Sequence, residues 1–163
     1  MRNTTCLELL DEPVADSPAN DLETLVHSQL RLLGEDPARD GLLQTPARVA
    51  KSLAFLTSGY GEDPERTVNG AVFDNDSEQM VLLRGVEFYS LCEHHLLPFF
   101  GKCHIAYLPA GKIIGLSKLA RLVEIFSRRL QVQERMTVEV AKALSELIPI
   151  MEWVSWLKLS TSA

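Results

Sequence analysis

The sequence predicts an α+β domain: amino-terminal helices, an antiparallel strand pair, then two long helices. Three observations carry that expectation. Apolar residues recur at helical spacing before residue 57 and again from Ser117 onward. Between them, residues 80–91 and 100–108 are rich in β-branched, aromatic and aliphatic side chains, bounded by Pro98 and Pro109. The 163 residues suffice for one hydrophobic core, and 46% apolar with 23% charged residues is ordinary soluble composition.

The elements follow in order. Residues 1–20 are polar, contain Pro13 and Pro18, and read as a loose leader. Asn20 with Glu23 has the form of a capping box for a helix over about residues 21–33, ended by Gly34. Leu22, Leu25, Val26, Gln29, Leu30 and Leu33 give that helix a mostly apolar face. Thr45 as N-cap and Pro46 at the first helical position start a second helix. It turns Val49, Ala50, Leu53 and Leu56 inward and stops at Gly59. Residues 59–77, rich in Gly, Asp and Asn, read as a loop. The two strands come next. After them Leu119, Leu122, Val123 and Phe126 share one helical face. Arg128-Arg129 interrupts, and a last helix points Met136, Val140, Ala143, Leu144 and Leu147 inward. A lone hairpin is a marginal sheet, so part of the sheet is expected to be missing or supplied by other subunits.

Composition excludes some functions. A net charge of -6 argues against broad nucleic-acid binding, though local basic patches can still hold a small anion. No apolar run approaches the ~20 residues of a membrane helix, and the first residues lack a signal-peptide core, so a cytoplasmic location without membrane contact is expected. Cysteines at 6, 92 and 103 make no disulfide framework. Cys103 reads as a small core residue and Cys6 as a tail thiol. His27 and His104 take structural readings.

The densest chemistry lies in Cys92-Glu93-His94-His95, at the end of the first predicted strand. Thiolate and imidazole are zinc donors, and Cys92 and His95 have ligand-like spacing. A catalytic zinc takes three protein ligands and a water, so this motif is one ligand short. Taken alone, a buried thiol beside a surface imidazole is the commoner meaning of such a pair.

The flanking sequence changes that balance. The run from Phe88 through Tyr89, Ser90, Leu91 and the Cys92-Glu93-His94-His95 motif to Leu96-Leu97-Pro98-Phe99-Phe100-Gly101-Lys102 resembles the signature of the GTP cyclohydrolase I family. Two later blocks agree: Gly115-Leu116-Ser117-Lys118-Leu119-Ala120-Arg121, and Arg128-Arg129-Leu130-Gln131-Val132-Gln133-Glu134-Arg135. So does the upstream Leu42-Leu43-Gln44-Thr45-Pro46-Ala47-Arg48-Val49-Ala50-Lys51. The resemblance covers roughly residues 21–149.

It implies the tunnelling fold, in which strand pairs and helix pairs from several subunits join into a barrel. The implied assembly is a homodecamer with active sites at subunit contacts. The implied reaction opens the five-membered ring of the guanine of GTP, releases formate and yields 7,8-dihydroneopterin triphosphate, the entry step to folate or tetrahydrobiopterin. By the family pattern Cys92 and His95 hold Zn2+, which lowers the pKa of its bound water. His94 is then the proton donor or acceptor. Glu134, with Gln133, receives the guanine edge. Ser117, Lys118 and Arg121, at a predicted helix start, meet the triphosphate, joined by Arg48 and Lys51 from one helical face. The plainer alternatives are a structural His94 and an exposed basic face for Lys118 and Arg121. Arg128 and Arg129 are either a solvated interruption or an intersubunit contact.

The carboxyl-terminal thirteen residues, 151–163, depart from the family, giving an incomplete family-like domain at 21–150 and a non-family tail. The family continues with strands bearing a His-x-Cys element whose Cys is the third zinc ligand. That Cys is absent here. Back-translation from the third base of the Met151 codon forces Gly, then Met or Val, then Gly, and permits Val-Val-Val-Glu-Ala-Glu-His-Leu-Cys. A shifted reading frame is therefore the expected origin of the tail. As printed, the chain is expected to lack a strand pair, to hold zinc weakly and to have doubtful activity. The alternative function is a catalytically inactive subunit that co-assembles with intact partners and modulates them.

Overall fold

The computed structural model describes residues 18–77 and 79–159, in two compact units divided between Ala54 and Phe55. The amino-terminal unit holds helix α1 (Pro18–Leu32) and most of helix α2 (Thr45–Leu56). Helix α1 begins at Pro18 rather than after Asn20, which corrects the predicted capping box: proline is well suited to a first helical turn, so the helix runs back through Asn20. Its end is as expected. Gly34 adopts φ +89, the Glu35 amide reaches Leu30 O and the Gly34 amide reaches Arg31 O, closing the helix with a left-handed glycine turn. In α2, Ala50 is buried and Val49, Leu53 and Leu56 are half-buried, the face that the sequence spacing predicts.

The second unit carries the sheet. Residues 59–77, read from the sequence as loop, contain more structure than that. A 3-10 turn (Ser58–Gly61) leads to helix α3 (Pro64–Val68), and strand β1 (Val72–Asp74) follows. The signals for α3 are chemical rather than periodic. Asp63 Oδ1 accepts the Glu65 amide at 2.9 Å, Pro64 sits in the first turn, and Asn69 ends the helix in the left-handed region at φ 39.

Strands β2 (Val81–Cys92) and β3 (Pro98–Pro109) form the predicted antiparallel pair, with a bulge between Leu83 and Val86 where Gly85 takes φ +75. Strand β4 (Lys112–Ile114) returns to β1. Helix α4 (Leu116–Ser127), the two-residue strand β5 (Leu130–Gln131) and helix α5 (Gln133–Leu147) follow.

The predicted two-strand sheet is larger than expected. Residues 151–159, expected to belong to a non-family tail, join Ile150 in strand β6 (Ile150–Leu159), antiparallel to β3. The sheet order is β5-β2-β3-β6. A strand ladder is made by backbone groups, so a segment needs only β-compatible side chains to join it.

The core lies between one face of the sheet and the pair α4 and α5. Phe88, Cys103, Ile105 and Tyr107 from the strands meet Leu119, Leu122, Val123, Met136, Val140 and Leu144 from the helices. The other face is exposed around Tyr89 and Phe100, whose rings stack with centroids 6.0 Å apart, and around Glu87 and Lys102 at 3.7 Å. Inside, the Tyr107 hydroxyl accepts the Ile114 amide at 3.1 Å, tying β3 to β4 across the turn.

Two consequences are measurable. Gly59 donates its amide to Arg128 O at 2.9 Å, and a Cβ at Gly59 would collide with the carbonyl oxygens of Ile125 and Arg128. Gly59→Ala is expected to cost about 1–3 kcal/mol, because backbone cannot move aside as a side chain can; the midpoint of urea unfolding reads it. Burial pushes the Cys103 thiol from its ordinary 9.0 up to about 12. The unfolded thiol ionises first, so this contribution is intact below pH 9 and is lost as pH rises towards 12. Stability should fall by up to about 1.4 kcal/mol per pH unit in that window, and Cys103→Ala should remove that share. The slope left behind belongs to groups such as Tyr107, whose hydroxyl burial also pushes up.

Candidate active site

The motif residues cluster because β2 and β5 end side by side. Cys92 is the last residue of β2 and stands opposite Gln131 in the parallel bridge between the two strands. The chain then turns back at once: the Cys92 amide donates to Leu97 O and the Leu96 amide to Cys92 O, both at 2.8 Å. Leu96 adopts φ 57, a left-handed conformation that is uncommon for a branched aliphatic residue and costs it free energy. The Glu93 amide donates to Gln131 O at 3.1 Å, so the turn is bonded to β5 as well as closed on itself.

Within the turn, Cys92 is half-buried and His94 and His95 are exposed. Cys92 Sγ lies 3.8 Å from His94 Nδ1, and His94 Nε2 lies 3.9 Å from Glu93 Oε1. A zinc ion tests this arrangement. The donor chemistry suits it, but the number does not: among the described residues there is no group of three or more His, Cys, Asp or Glu placed to hold a metal. Two donors do not make a site that fits zinc. Cys103, the other cysteine among the described residues, is buried in the core and offers nothing to the turn.

Beyond β5, the chain passes through Val132 into α5, whose first turn presents Gln133, half-buried, and Glu134, exposed. The bridge between β2 and β5 thus brings Cys92, His94 and the Gln133-Glu134 pair to one end of the sheet. The join is held from below by Gln131. Its side chain is buried, donating through Nε2 to Phe126 O at 2.9 Å and to Glu139 Oε2 at 2.7 Å, and accepting at Oε1 from Arg135 Nε at 3.2 Å.

A cleft of about 370 Å³ runs alongside, between β2 and α4. Glu87, Tyr89, Ser117, Arg121, Glu124 and Arg128 line it. Two of the expected triphosphate residues, Ser117 and Arg121, are therefore together. Among the described residues Arg121 pairs with Glu124, at 3.8 Å on an exposed face, a weak tie that a phosphate can displace. Lys118 lies apart from them: its ammonium donates to Thr67 O at 2.8 Å and closes the end of α3. Arg48 and Lys51 are exposed on α2, in the amino-terminal unit.

Arg128 is the residue that sequence reasoning undervalued. It is half-buried, its guanidinium carbon is 4.1 Å from the centroid of the Phe55 ring, and its Nε is buried without a hydrogen bond among the described residues. The neighbouring Arg129 stacks over Phe126 at 4.8 Å and donates to Gly59 O at 3.1 Å. The pair is thus packed on aromatic rings and backbone rather than being a solvated interruption. Only its doubled charge between two apolar helices hinted at this.

Residues 22–153 match the family model described as GTP cyclohydrolase I. The chain is 56% identical over 126 residues to GTP cyclohydrolase 1 of Campylobacter curvus (strain 525.92), covering 77% of this chain and 66% of that protein. It is 53% identical over 152 residues to GTP cyclohydrolase 1 of Chlorobium phaeovibrioides (strain DSM 265 / 1930), covering 90% and 68%. With the Chlorobium chlorochromatii (strain CaD3) protein of the same name the figures are 55% over 129 residues, 79% and 58%. The matches therefore span about two thirds of the length of these relatives, or somewhat less. With residues 22–153 matched by the family model and more than half of the aligned positions identical to these relatives, this chain belongs to the GTP cyclohydrolase I family.

Proposed function

We propose that the chain serves a hydrolase that opens the imidazole ring of the guanine of GTP, giving formate and 7,8-dihydroneopterin triphosphate. The observation that supports this reading best is the two-residue bridge between β2 and β5, which sets His94 and the Gln133-Glu134 pair at one sheet end. Purine-ring opening needs both a base-recognising edge and a titratable group close to it. The Glu134 carboxylate accepts from guanine N1–H and the exocyclic amine together, with Gln133 beside it. His94 moves protons at the ring nitrogens, since an imidazole changes charge near neutral pH. Ser117 and Arg121 take the triphosphate in the cleft, with Arg128 as a further cation on its wall. Lys118 serves that cleft by leaving Thr67 or by holding α3 in place; Arg48 and Lys51 add positive charge. The assembly proposed is a homo-oligomer, the family decamer, with sites at subunit contacts, in the cytoplasm. No helix among the described residues is long and apolar enough to cross a membrane.

Cys92 and His95 are the two donors this reading offers to Zn2+, and a third must come from outside the described residues. That count favours the second reading, an inactive subunit that joins intact partners and modulates them. It also keeps the frameshift at residue 151 as its proposed origin, which the encoding DNA past codon 150 settles: codons incompatible with His-x-Cys would end the idea.

Purified chain separates the two functions. About one zinc per subunit with formate release from GTP supports the hydrolase; neither, with co-assembly into an intact partner, supports the modulator. In an active preparation, His94→Asn is expected to lower kcat by about 10²–10⁴ with little change in GTP affinity, whereas Glu134→Gln should chiefly raise KM. Unaltered formate release by the His94 variant would remove that residue from the proton-transfer role.

A further inference from the structure

We infer that Arg135 is a positioning residue: through Glu93 it holds the 92–95 turn against α5, and so sets where His94 stands relative to Glu134. The inference rests on the hydrolase reading above for its catalytic meaning, but its geometry stands alone. Arg135 is next to Glu134 in the first turn of α5. One guanidinium nitrogen, Nη2, contacts the Glu93 carboxylate and also donates to Leu130 O at 2.8 Å. Nε donates to Gln131 Oε1 at 3.2 Å and lies 3.8 Å from Glu139 Oε1. A single side chain therefore reaches the turn, both residues of β5 and the second turn of its own helix.

Glu93 completes the connection. Its Oε2 faces Arg135 while its Oε1 faces His94 Nε2 at 3.9 Å. The two oxygens of one carboxylate thus stand between the imidazole and the helix. The Glu93 amide is bonded to Gln131 O, so the turn is fixed at backbone and side chain together. Partly exposed ion pairs add little to global stability, and Arg135 and Glu93 are both partly exposed. What the planar guanidinium supplies here is direction: several acceptors engaged at fixed angles, which the point charge of a lysine cannot reproduce. Misplacing a reacting group by about 1 Å can cost about a hundredfold in rate, so such a strut is consequential for chemistry where it is not for stability.

The test uses Arg135→Gln, Arg135→Lys, Glu93→Gln and the Glu93→Gln/Arg135→Gln double variant of the full chain. Hydrogen exchange of the Glu93 and Leu96 amides reports the turn, and that of residues 136–144 reports the helix. Arg135→Gln and Glu93→Gln are each expected to speed exchange in the turn about tenfold while the helix is unchanged. The double variant should go no further than either single one, and Arg135→Lys should recover only part of the protection. In a preparation that releases formate, the same variants should lower kcat about tenfold or more at nearly constant KM. Turn exchange unaltered in both single variants, or an active chain whose kcat is indifferent to Arg135→Gln, overturns the inference. If the parent chain releases no formate, the hydrolase reading fails separately and the exchange data still decide whether Arg135 holds the turn.

Discussion

The site is organised around one buried amide. Gln131 sits where the end of α4, the turn after β2 and the start of α5 converge, and its side chain donates to Phe126 O and Glu139 and accepts from Arg135. Its backbone carbonyl takes the Glu93 amide. A primary amide can do this because it is donor and acceptor at once without carrying charge. A carboxylate would leave the Phe126 carbonyl without a donor, and an apolar side chain would strand that buried carbonyl and remove a partner from Glu139 and Arg135. The position of the 92–95 turn relative to Glu134 is therefore set by a polar network within the fold, not by the loop itself.

The segment that leads into that network is clamped from its other side. Gly59 donates to Arg128 O and accepts from Arg129 Nε, and the Tyr60 hydroxyl accepts the Leu130 amide at 3.1 Å. Arg128 and Arg129 lay their guanidinium planes over Phe55 and Phe126, burying apolar stems and keeping charge near the cleft. Hydrogen bonds hold Arg128, Arg129 and Leu130, and cation–π stacking holds the two arginines a second time. Close approach of the backbones is possible because residue 59 has no Cβ. That explains how a two-residue strand can serve as a rigid reference for chemistry: β5 is short, but its flanks are fixed.

Much of this was legible in the sequence, and the division is physical. Long amphipathic helices and apolar strands have periods that survive without context, so β2, β3, α4 and α5 fall where the spacing puts them. The short elements have no period to read. Helix α3 is announced only by its Asp63-Pro64 cap, and β1 and β4 exist because they pair with each other. The motif at residues 92–95 was conspicuous because its residue types are chemically rare together. Arg135, Gln131 and Arg128 were not, because their meaning lies in which carbonyls and rings they reach across 4 to 73 residues of sequence.

Strand β6 separates what holds the fold from what equips the site. It pairs with β3 from Ile150 to Leu159 through backbone groups, and such a ladder discriminates weakly among side chains. Metal coordination is the opposite kind of interaction: it depends on the identity and number of a few donor atoms and ignores backbone pairing. A segment can therefore satisfy the sheet completely while contributing no donor to a neighbouring centre. The described residues meet the first requirement with a four-stranded sheet, and among them no group of three or more His, Cys, Asp or Glu is placed to hold a metal. Stability measurements on this chain consequently report on the sheet and its helices, and carry no information about whether the centre is complete. Only donor count and turnover address that, because the two properties draw on different atoms of the same strand.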